Sequence, residues 1–197
     1  MTCTVYTAVA GEYRRRRDVQ CFGDVGIFHR PVMEAKRYKI LPHLFVAGDV
    51  TLWIDGNITL RAEPQAVADA LLEPGADMAI FRHSYRSTVW QEFATLKDDP
   101  RFAIPYLQQQ LAAQAQAYRD EGLPDDAQLY ECNVIVRRNN DRVNRLMEAW
   151  WAQICRWQWR DQVSLPYALW KYGDGLALSS VTGNVRNHPL FDYVSQY

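Results

Sequence analysis

The sequence lacks the features that mark membrane-spanning, nucleic-acid-wrapping and disordered proteins. None of its apolar runs approaches the roughly 18 residues of a membrane-spanning helix. Lys and Arg number 22 against 23 Asp and Glu, so the basic excess typical of nucleic-acid-binding proteins is absent. With 197 residues, 48% of them hydrophobic, the chain is long enough to bury a core without disulfide or metal staples. We expect one domain over residues 1–197, with no transmembrane segment and no nucleic acid as partner.

The four cysteines lack the spacing of a metal site. Cys3, Cys21, Cys132 and Cys155 are widely scattered and form no CxxC pair, which is the usual zinc-site spacing. Three of the four lie in apolar runs, as reduced core thiols do. The N-terminal segment has neither the basic start nor the sustained apolar stretch of a signal peptide. We therefore expect a cytoplasmic protein.

Short apolar runs alternate along the chain with amphipathic segments, and turn residues separate them. The apolar runs fit buried strands at 5–9, 21–22, 50–54, 77–81, 129–136 and 176–181. The amphipathic segments predict helices at 33–39, 64–72, 104–118, 140–157 and 161–171. This alternation indicates an α/β fold with a mostly parallel central sheet and helices on both faces. Ligands of such sheets bind beyond the carboxyl ends of the strands, so the residues there are candidates for a site.

The strongest local signal is the turn that follows the predicted strand at 50–54. Asp55, Gly56 and Asn57 place a carboxylate and an amide oxygen two positions apart around a glycine. Oxygen ligands of this kind suit Mg²⁺ or Mn²⁺, which take their remaining ligands from water and substrate phosphates. Asp-Gly-Asn is also ordinary turn chemistry, and on its own it favours a plain β-turn.

Further charged segments border the predicted strands and helices. Arg82, His83 and Arg86 follow the run at 77–81, and arginines there could neutralise a diphosphate by planar, bidentate contact. Asp161 begins a predicted helix, where it serves either as a cap for free N–H groups or as a ligand. The run Arg14–Arg17 predicts a solvated loop, with a basic loop over a ligand pocket as the alternative.

The tryptophans of the helix at 140–157 and of the segment after it divide into two groups. Trp150 and Trp157 share the apolar face of that helix and are expected in the core. Trp151 and Trp159 lie off this face, which makes them candidates for contact with an acceptor or a partner.

Five separated motifs follow one another along the chain: Ala35-Lys36-Arg37-Tyr38-Lys39 with Pro42-His43, Trp53-Ile54-Asp55-Gly56-Asn57, His83-Ser84-Tyr85-Arg86 with Glu92, Asn133-Val134-Ile135-Val136-Arg137-Arg138, and Trp150-Trp151 with Arg160-Asp161-Gln162-Val163-Ser164. In this order they resemble the DUF616 family, of the TOD1/MUCI70 type. That family is described as a glycosyltransferase-like domain and includes plant proteins linked to pectin and mucilage synthesis. The resemblance runs from about Thr4 to Lys171, which is most of the chain.

The resemblance implies a GT-A-type nucleotide-sugar transferase fold. In such folds a DxD motif ends a central strand and holds a divalent metal, here Mn²⁺ or Mg²⁺, on the donor diphosphate. Asp55 takes the first position of that motif and Asn57 the last, so this chain departs from a strict DxD. By the same resemblance His188 would supply a late metal ligand, as a C-terminal His does in some of those families.

The resemblance also implies a set of substrate-binding residues. They are Thr7 and Ala8 against the base and ribose, Lys36 and Arg37 on the basic helix that faces the nucleotide-sugar, and Asp55, Gly56, Asn57, His83, Arg86, Arg160 and Gln162. Asp161 and Gln162 resemble the Asp-Gln pair found beside the donor sugar and acceptor in several GT-A families. Asp161 is the first candidate for the base that an inverting enzyme needs, with Glu92 second; in a retaining enzyme Asp161 would orient the sugar.

The predicted function is that of a glycosyltransferase. It would move a sugar from a nucleotide-diphosphate sugar, with a UDP-sugar as the expected donor, to a glycan or another hydroxyl acceptor. A nucleotide-sugar- or glycan-binding module without turnover is the alternative, because the chain is short and the second Asp of the motif is missing. A hydrolase is less favoured, since the sequence has no GxSxG and no HExxH.

Overall fold

The structure, a computed structural model, describes residues 2–12, 16–23 and 25–194. Within these ranges the strands are β1 (Cys3–Val9), β2 (Gln20–Gly23), β3 (Val50–Ile54), β4 (Ile58–Leu60), β5 (Met78–Arg82), β6 (Tyr130–Arg138), β7 (Leu178–Val181) and β8 (Phe191–Tyr193). The α-helices are α1 (Pro31–Ile40), α2 (Pro64–Leu71), α3 (Val89–Leu96), α4 (Pro105–Asp120), α5 (Asp141–Arg156) and α6 (Asp161–Tyr172). Short 3₁₀ turns lie at Pro42–Leu44, Pro100–Phe102 and Val185–Asn187.

Six strands form the central sheet, in the order β2-β1-β3-β6-β5-β7. The pairs β1–β2, β1–β3 and β5–β7 are parallel, whereas β6 runs antiparallel to both of its neighbours, β3 and β5. The first residues of β6 therefore lie at the edge where β3 and β5 end. Accordingly, the N–H of Asp55, just after β3, donates to the carbonyl of Asn133 over 2.8 Å. The predicted α/β fold with a mostly parallel central sheet is confirmed.

Helices cover both faces of this sheet, because successive strand residues point to opposite sides. On one face Trp53 and Ile135 pack in a cluster with residues of α1, α5 and α6. On the other face Leu52 and Val134 pack against α2. A third cluster joins α3 and α4 to α6, beside the sheet. Burial on both sides explains why the strands are continuous apolar runs in the sequence.

One helix, α3, was not predicted from periodicity, although the sequence contains its start signal. The hydroxyl of Thr88 accepts a hydrogen bond from the Gln91 N–H, and the Gln91 side chain accepts one from the Thr88 N–H. This reciprocal pair is a capping box, whose Thr-x-x-Gln pattern is visible at 88–91.

A small antiparallel ribbon of β4 and β8 was also not predicted. Ile58 pairs with Tyr193 and Leu60 with Phe191. The N–H of Val194 then donates to the carbonyl of Asn57 over 2.9 Å. The C-terminal part of the chain thus returns to the residues that follow the Asp-Gly-Asn turn. Three-residue strands are too short to leave a periodic pattern in the sequence.

The tryptophans match the expectations only in part. Trp150 is fully buried in the core, as predicted. Trp151 makes an edge contact with Phe28, and Trp159 stacks on Phe102 at a centroid distance of 5.1 Å, so both have partners within the chain.

All four cysteines are free, but they do not share one environment. Cys132 is buried, whereas Cys155 is exposed on α5, so the expectation of core thiols does not extend to Cys155.

The capping box of α3 leads to a prediction about stability. Thr88→Ala removes the side-chain acceptor for the Gln91 N–H and should lower the free energy of unfolding by about 1 kcal/mol. Urea unfolding followed by circular dichroism measures this, and Thr88→Ser, which keeps the hydroxyl, is the matched control. Equal midpoints for Thr88→Ala and the unmodified chain would contradict a stabilising cap.

Candidate functional site

Two adjoining cavities lie at the edge of the sheet where β1 and β3 end. The first, called the apolar cavity, has a volume of about 440 Å³ and is lined by Ala8, Val9, Ala10, Arg16, Pro31, Val32, Ala35, Lys36, Lys39, Trp53, Asp55, Gly56 and Asn57. The second, called the polar cavity, has a volume of about 370 Å³ and is lined by Lys36, Lys39, Asp55, Asn57, His83, Tyr85, Arg86, Arg101, Glu131, Cys132, Asn133, Arg160, Asp161, Gln162, Asn184, Arg186 and Tyr193. Four residues line both cavities and form the junction between them: Lys36, Lys39, Asp55 and Asn57. Each volume lies within the range of small-ligand sites.

Asp55 reaches this junction because the buried strand β3 ends directly before it. Its side chain is 39% exposed. The indole N–H of Trp53 donates to Oδ1 over 2.8 Å, and the ammonium of Lys39 lies 3.3 Å from the same oxygen. The turn therefore opens into the cavities while one of its carboxylate oxygens is held by the protein.

Two lysines of α1 share a second carboxylate, that of Asp161. Lys36 and Lys39 are three positions apart, so both side chains leave the same face of the helix. The ammonium of Lys39 lies 2.7 Å from Asp161 Oδ2, and the ammonium of Lys36 donates to the same oxygen. Asp161 is the first residue of α6, where its Oδ1 also accepts the N–H of Gln162. Of the two roles predicted for Asp161, the capping role is reduced to this contact with the next N–H, because Arg160 is the N-cap and has no side-chain cap hydrogen bond.

The electrostatics of this cluster fix its charges. Burial alone would raise the pKa of Asp161, but the charges of Lys36 and Lys39 outweigh it and hold that pKa well below its ordinary value. Burial would lower the pKa of Lys39, but Asp161 and Asp55 outweigh it and raise that pKa. For Lys36 burial dominates, and its pKa is lowered. Asp161 and Lys39 are therefore a permanent ion pair at neutral pH.

A buried carboxylate, Glu92 of α3, lies behind the wall of the polar cavity. Oε1 accepts two hydrogen bonds from the guanidinium of Arg160, at 2.9 and 2.7 Å, and Oε2 lies 2.6 Å from Nε of Arg86. Glu92 is fully buried, so it holds both guanidinium groups against the wall of the cavity. His83 lies beside Arg86, and burial, together with the Arg86 charge, lowers the pKa of its imidazole.

Glu131 is a further carboxylate of the polar cavity, and it is only partly buried. Its Oε1 accepts the Ser84 hydroxyl over 2.9 Å, and its Oε2 accepts the side-chain amide of Asn133 over 3.2 Å. No lysine or arginine within the described ranges forms an ion pair with it. It is the second residue of β6, at the edge where β3 and β5 end.

Most of the residues predicted to bind substrate line these cavities. Ala8 and Gly56 line the apolar one, His83, Arg86, Arg160 and Gln162 line the polar one, and Lys36, Asp55 and Asn57 lie at the junction. Thr7 does not, because alternation along β1 turns it to the other face of the sheet from Ala8, where it is fully buried. Arg37 lies between Lys36 and Lys39 but off their face of α1, with its guanidinium over the ring of Phe45 at 4.7 Å. The run Arg14–Arg17 is described only from Arg16 onward, and Arg16 lines the apolar cavity instead of standing free in solvent.

The two residues predicted as bases are not placed for that role. The carboxylate of Asp161 is 4% exposed and pairs with two ammonium groups, and that of Glu92 is 1% exposed and pairs with two guanidinium groups. The two ammonium partners of Asp161 hold its pKa below its ordinary value, so this carboxylate has little tendency to accept a proton. In this structure both carboxylates position the cations of the cavity walls.

The residues that sequence reasoning missed carried weaker signals. Lys39 belongs to the motif at 35–39. Its spacing of three residues from Lys36 indicates that both side chains leave the same, cavity-facing side of α1. Glu131 and Asn133 lie at the start of a strand, whereas candidates were sought after strand ends. Arg101 and Arg186 lie in 3₁₀ turns that have no periodic pattern.

The donor set around Asp55 does not fit a divalent cation well. Asp55 Oδ1 is already engaged by the Lys39 ammonium and the Trp53 indole. His188, predicted as a ligand, instead packs its ring against Phe81 and Phe191, and it is not among the residues that line either cavity. Among residues 2–12, 16–23 and 25–194, no three His, Cys, Asp or Glu side chains are grouped so as to hold a metal.

Comparison with known proteins identifies the family. The model of the TOD1/MUCI70 glycosyltransferase-like domain matches residues 26–184, which is most of the chain and includes β3, α6 and the junction residues. The chain belongs to this family. The matched range contains all the residues that line the polar cavity except Arg186 and Tyr193.

Two solved structures similar to this TOD1/MUCI70 domain are glycosyltransferases. One is a glycosyltransferase involved in the glycosylation of the major capsid of PBCV-1, at 9% identity and a TM-score of 0.48, with 98% of this chain and 94% of that chain covered. The other is mouse xyloside xylosyltransferase 1 in its apo form, at 15% identity and a TM-score of 0.38, with 82% of this chain and 63% of that chain covered. No curated protein matches the sequence. In the described part of the chain, no helix is long and apolar enough to cross a membrane.

The buried pair of Asp161 and Lys39 makes the stability of this domain sensitive to acid. The folded-state pKa of Asp161 lies below its ordinary value of 3.8, so its contribution is complete above about pH 5 and is lost as the pH falls below that value. Asp161→Asn leaves Lys36 without a carboxylate partner and Lys39 with Asp55 alone, and it should cost about 3–5 kcal/mol at pH 7. Urea unfolding between pH 7 and pH 3 measures both effects. The difference in the free energy of unfolding between the unmodified chain and Asp161→Asn should become smaller as the pH falls.

Asp192→Asn is the matched control for this prediction. Asp192 also pairs with an arginine, Arg61, but both side chains are about half exposed. Its replacement should leave the urea midpoint almost unchanged. A small loss for Asp161→Asn at pH 7, similar to that of the control, would contradict the interpretation of a buried, charged cluster.

Proposed function

We propose that this chain is a glycosyltransferase that moves a sugar from a nucleotide-diphosphate sugar to a hydroxyl acceptor. The observation that carries the proposal is the junction, where Asp55, just after β3, meets Lys36 and the buried Lys39 of α1 between an apolar and a polar cavity. Membership of a glycosyltransferase-like family supports the same reaction class. A donor of this kind has three chemically different parts, and the site offers a different environment to each.

The apolar cavity suits the nucleoside. Ala8 and Val9 at the end of β1, with Pro31 and Val32 at the start of α1, form a largely apolar wall with room for a base. The diphosphate would then lie at the junction, where Lys36 and Lys39 provide positive charge. Arg16, also in this cavity wall, provides a further cation on the nucleotide side.

The polar cavity suits the sugar and the acceptor. The amides of Asn133 and Gln162 both line it and can donate to or accept from hydroxyl groups. Arg86 and Arg160 line it as well, and Glu92 holds both in place. This combination of fixed charges and hydrogen-bonding groups is typical of a site for a polyhydroxylated ligand.

In the transfer step the bond between the anomeric carbon and the phosphate oxygen breaks, and the nucleoside diphosphate leaves with the bonding electron pair. The acceptor oxygen bonds to the anomeric carbon, and its proton passes to a base. We propose Glu131 as this base for transfer with inversion, because it is the cavity carboxylate within the described ranges that pairs with no cation. Lys36 and Lys39 would stabilise the charge that develops on the leaving diphosphate.

Nucleotide binding tests the proposal directly. Titration calorimetry with UDP, GDP, ADP and CDP should detect one nucleotide that binds, and the matching nucleotide-sugars should then be hydrolysed or transferred. Val32→Trp narrows the apolar cavity and should weaken binding at least about tenfold, or about 1.4 kcal/mol. Ile104→Trp, an equally large change at an exposed position at the start of α4, is the matched control.

The outcomes of this test separate the proposed functions. Binding without turnover of any nucleotide-sugar would favour the binding module over the enzyme. Failure of every nucleotide to bind, with and without Mn²⁺, would contradict both.

The proposed base provides a separate prediction. Glu131→Gln keeps the size of the side chain and one acceptor oxygen but should lower kcat at least about 100-fold, since general-base catalysis contributes that much. The dissociation constant of the nucleoside diphosphate should not change. Glu148→Gln, on the exposed face of α5, is the control. Unchanged turnover in Glu131→Gln would show that another group, or no group, takes the proton.

A further inference from the structure

The ammonium of Lys39 lies where two carboxylates from different parts of the chain converge. Asp55 follows β3 and Asp161 begins α6, yet their oxygens lie 3.3 Å and 2.7 Å from the same nitrogen. The ring of Trp53 lies under this ammonium, with the nitrogen 5.5 Å from the ring centroid. Two carboxylates that face one point, with the amide of Asn57 on the same wall, form an oxygen-rich cation site.

This cation site is already filled by a side chain. Lys39 is 3% exposed and packed in the core between α1 and the sheet, so its ammonium cannot swing out to make room. A divalent ion on Asp55 would have to lie beside the ammonium groups of both Lys39 and Lys36. A divalent cation and an ammonium group that lie side by side repel each other strongly where little water screens their charges.

We infer that Lys39 is a built-in cation that replaces a divalent metal at this junction, so that the chain binds its nucleoside diphosphate without Mn²⁺ or Mg²⁺. This inference rests on the proposed function and specifies how the same site handles the diphosphate. The ammonium of Lys39 neutralises negative charge on the diphosphate, as a metal ion would, while Asp55 and Asp161 hold that ammonium in place.

Other fixed cations support the diphosphate without a metal. Arg186 lines the polar cavity, and its guanidinium lies over the ring of Tyr193 at 4.7 Å. No carboxylate in the described ranges pairs with Arg186, so its charge is available to an anionic ligand. Lys36 adds a second ammonium at the junction itself.

Titration of the unmodified chain with UDP, or with whichever nucleoside diphosphate binds in the panel, tests the inference. The dissociation constant should be the same in EDTA as in Mn²⁺. Binding that occurs only with Mn²⁺, or that Mn²⁺ tightens tenfold or more, would overturn the inference while leaving the proposed function intact. Absence of binding in both conditions for all four nucleotides would count against the proposed function itself.

A variant of Lys39 tests the same point by a second measurement. Lys39→Ala removes the ammonium and leaves Asp55 and Asp161 facing an open space. Nucleotide binding in EDTA should weaken at least about tenfold, and Mn²⁺ should recover part of it. Electron paramagnetic resonance of Mn²⁺ without nucleotide should show an ion bound to Lys39→Ala but none to the unmodified chain.

The control for the charge change is Arg37→Ala. It removes one positive charge from the same helix, on the side that faces Phe45, and should leave nucleotide affinity unchanged. Lys39→Ala with the full metal-free affinity of the unmodified chain would overturn the role of Lys39. A thermal melt shows whether this variant folds. If it does not, the titration of the unmodified chain still distinguishes metal-independent from Mn²⁺-dependent binding of the nucleoside diphosphate.

Discussion

The site depends on one buried carboxylate, that of Asp161, which the ammonium groups of Lys36 and Lys39 share. It joins α1, from the first quarter of the chain, to the start of α6, more than 120 residues later. The backbone carbonyl of Asp161 also accepts the indole N–H of Trp150, so the helix end itself is tied to the core. Separating these charges would leave ions in a place with little water, and this cost fixes how the two helices meet.

The polar cavity repeats the same arrangement with other residues. Glu92, on α3, is shared by Arg86 and Arg160 as Asp161 is shared by the two lysines. In both places a buried carboxylate pairs with two cations and so holds them at the cavity surface. Cations held in this way need no rearrangement when a phosphorylated ligand arrives, which is the condition for effective electrostatic stabilisation.

The family and the sheet could be predicted from the sequence because both have local signals. Buried strands are continuous apolar runs, and the Asp-Gly-Asn turn after β3 marks the edge of the sheet at which the two cavities lie. The direction of β6 has no such signal, since it is decided by pairing with β3 and β5. This is why Glu131 was overlooked. The orientation of Arg37 and the surroundings of His188 likewise depend on packing between distant segments, which periodicity does not describe.

A different kind of dependence follows from the β4–β8 ribbon. The C-terminal segment pairs with the residues just after the Asp-Gly-Asn turn, and Tyr193 contributes to the wall of the polar cavity. The central sheet would keep all six of its strands in a chain shortened to residue 189, but the turn would lose the backbone partner of Asn57 and one side of its support. The central sheet and the ligand site therefore have separable requirements: the sheet makes its strand pairings without β8, whereas the wall of the polar cavity needs it.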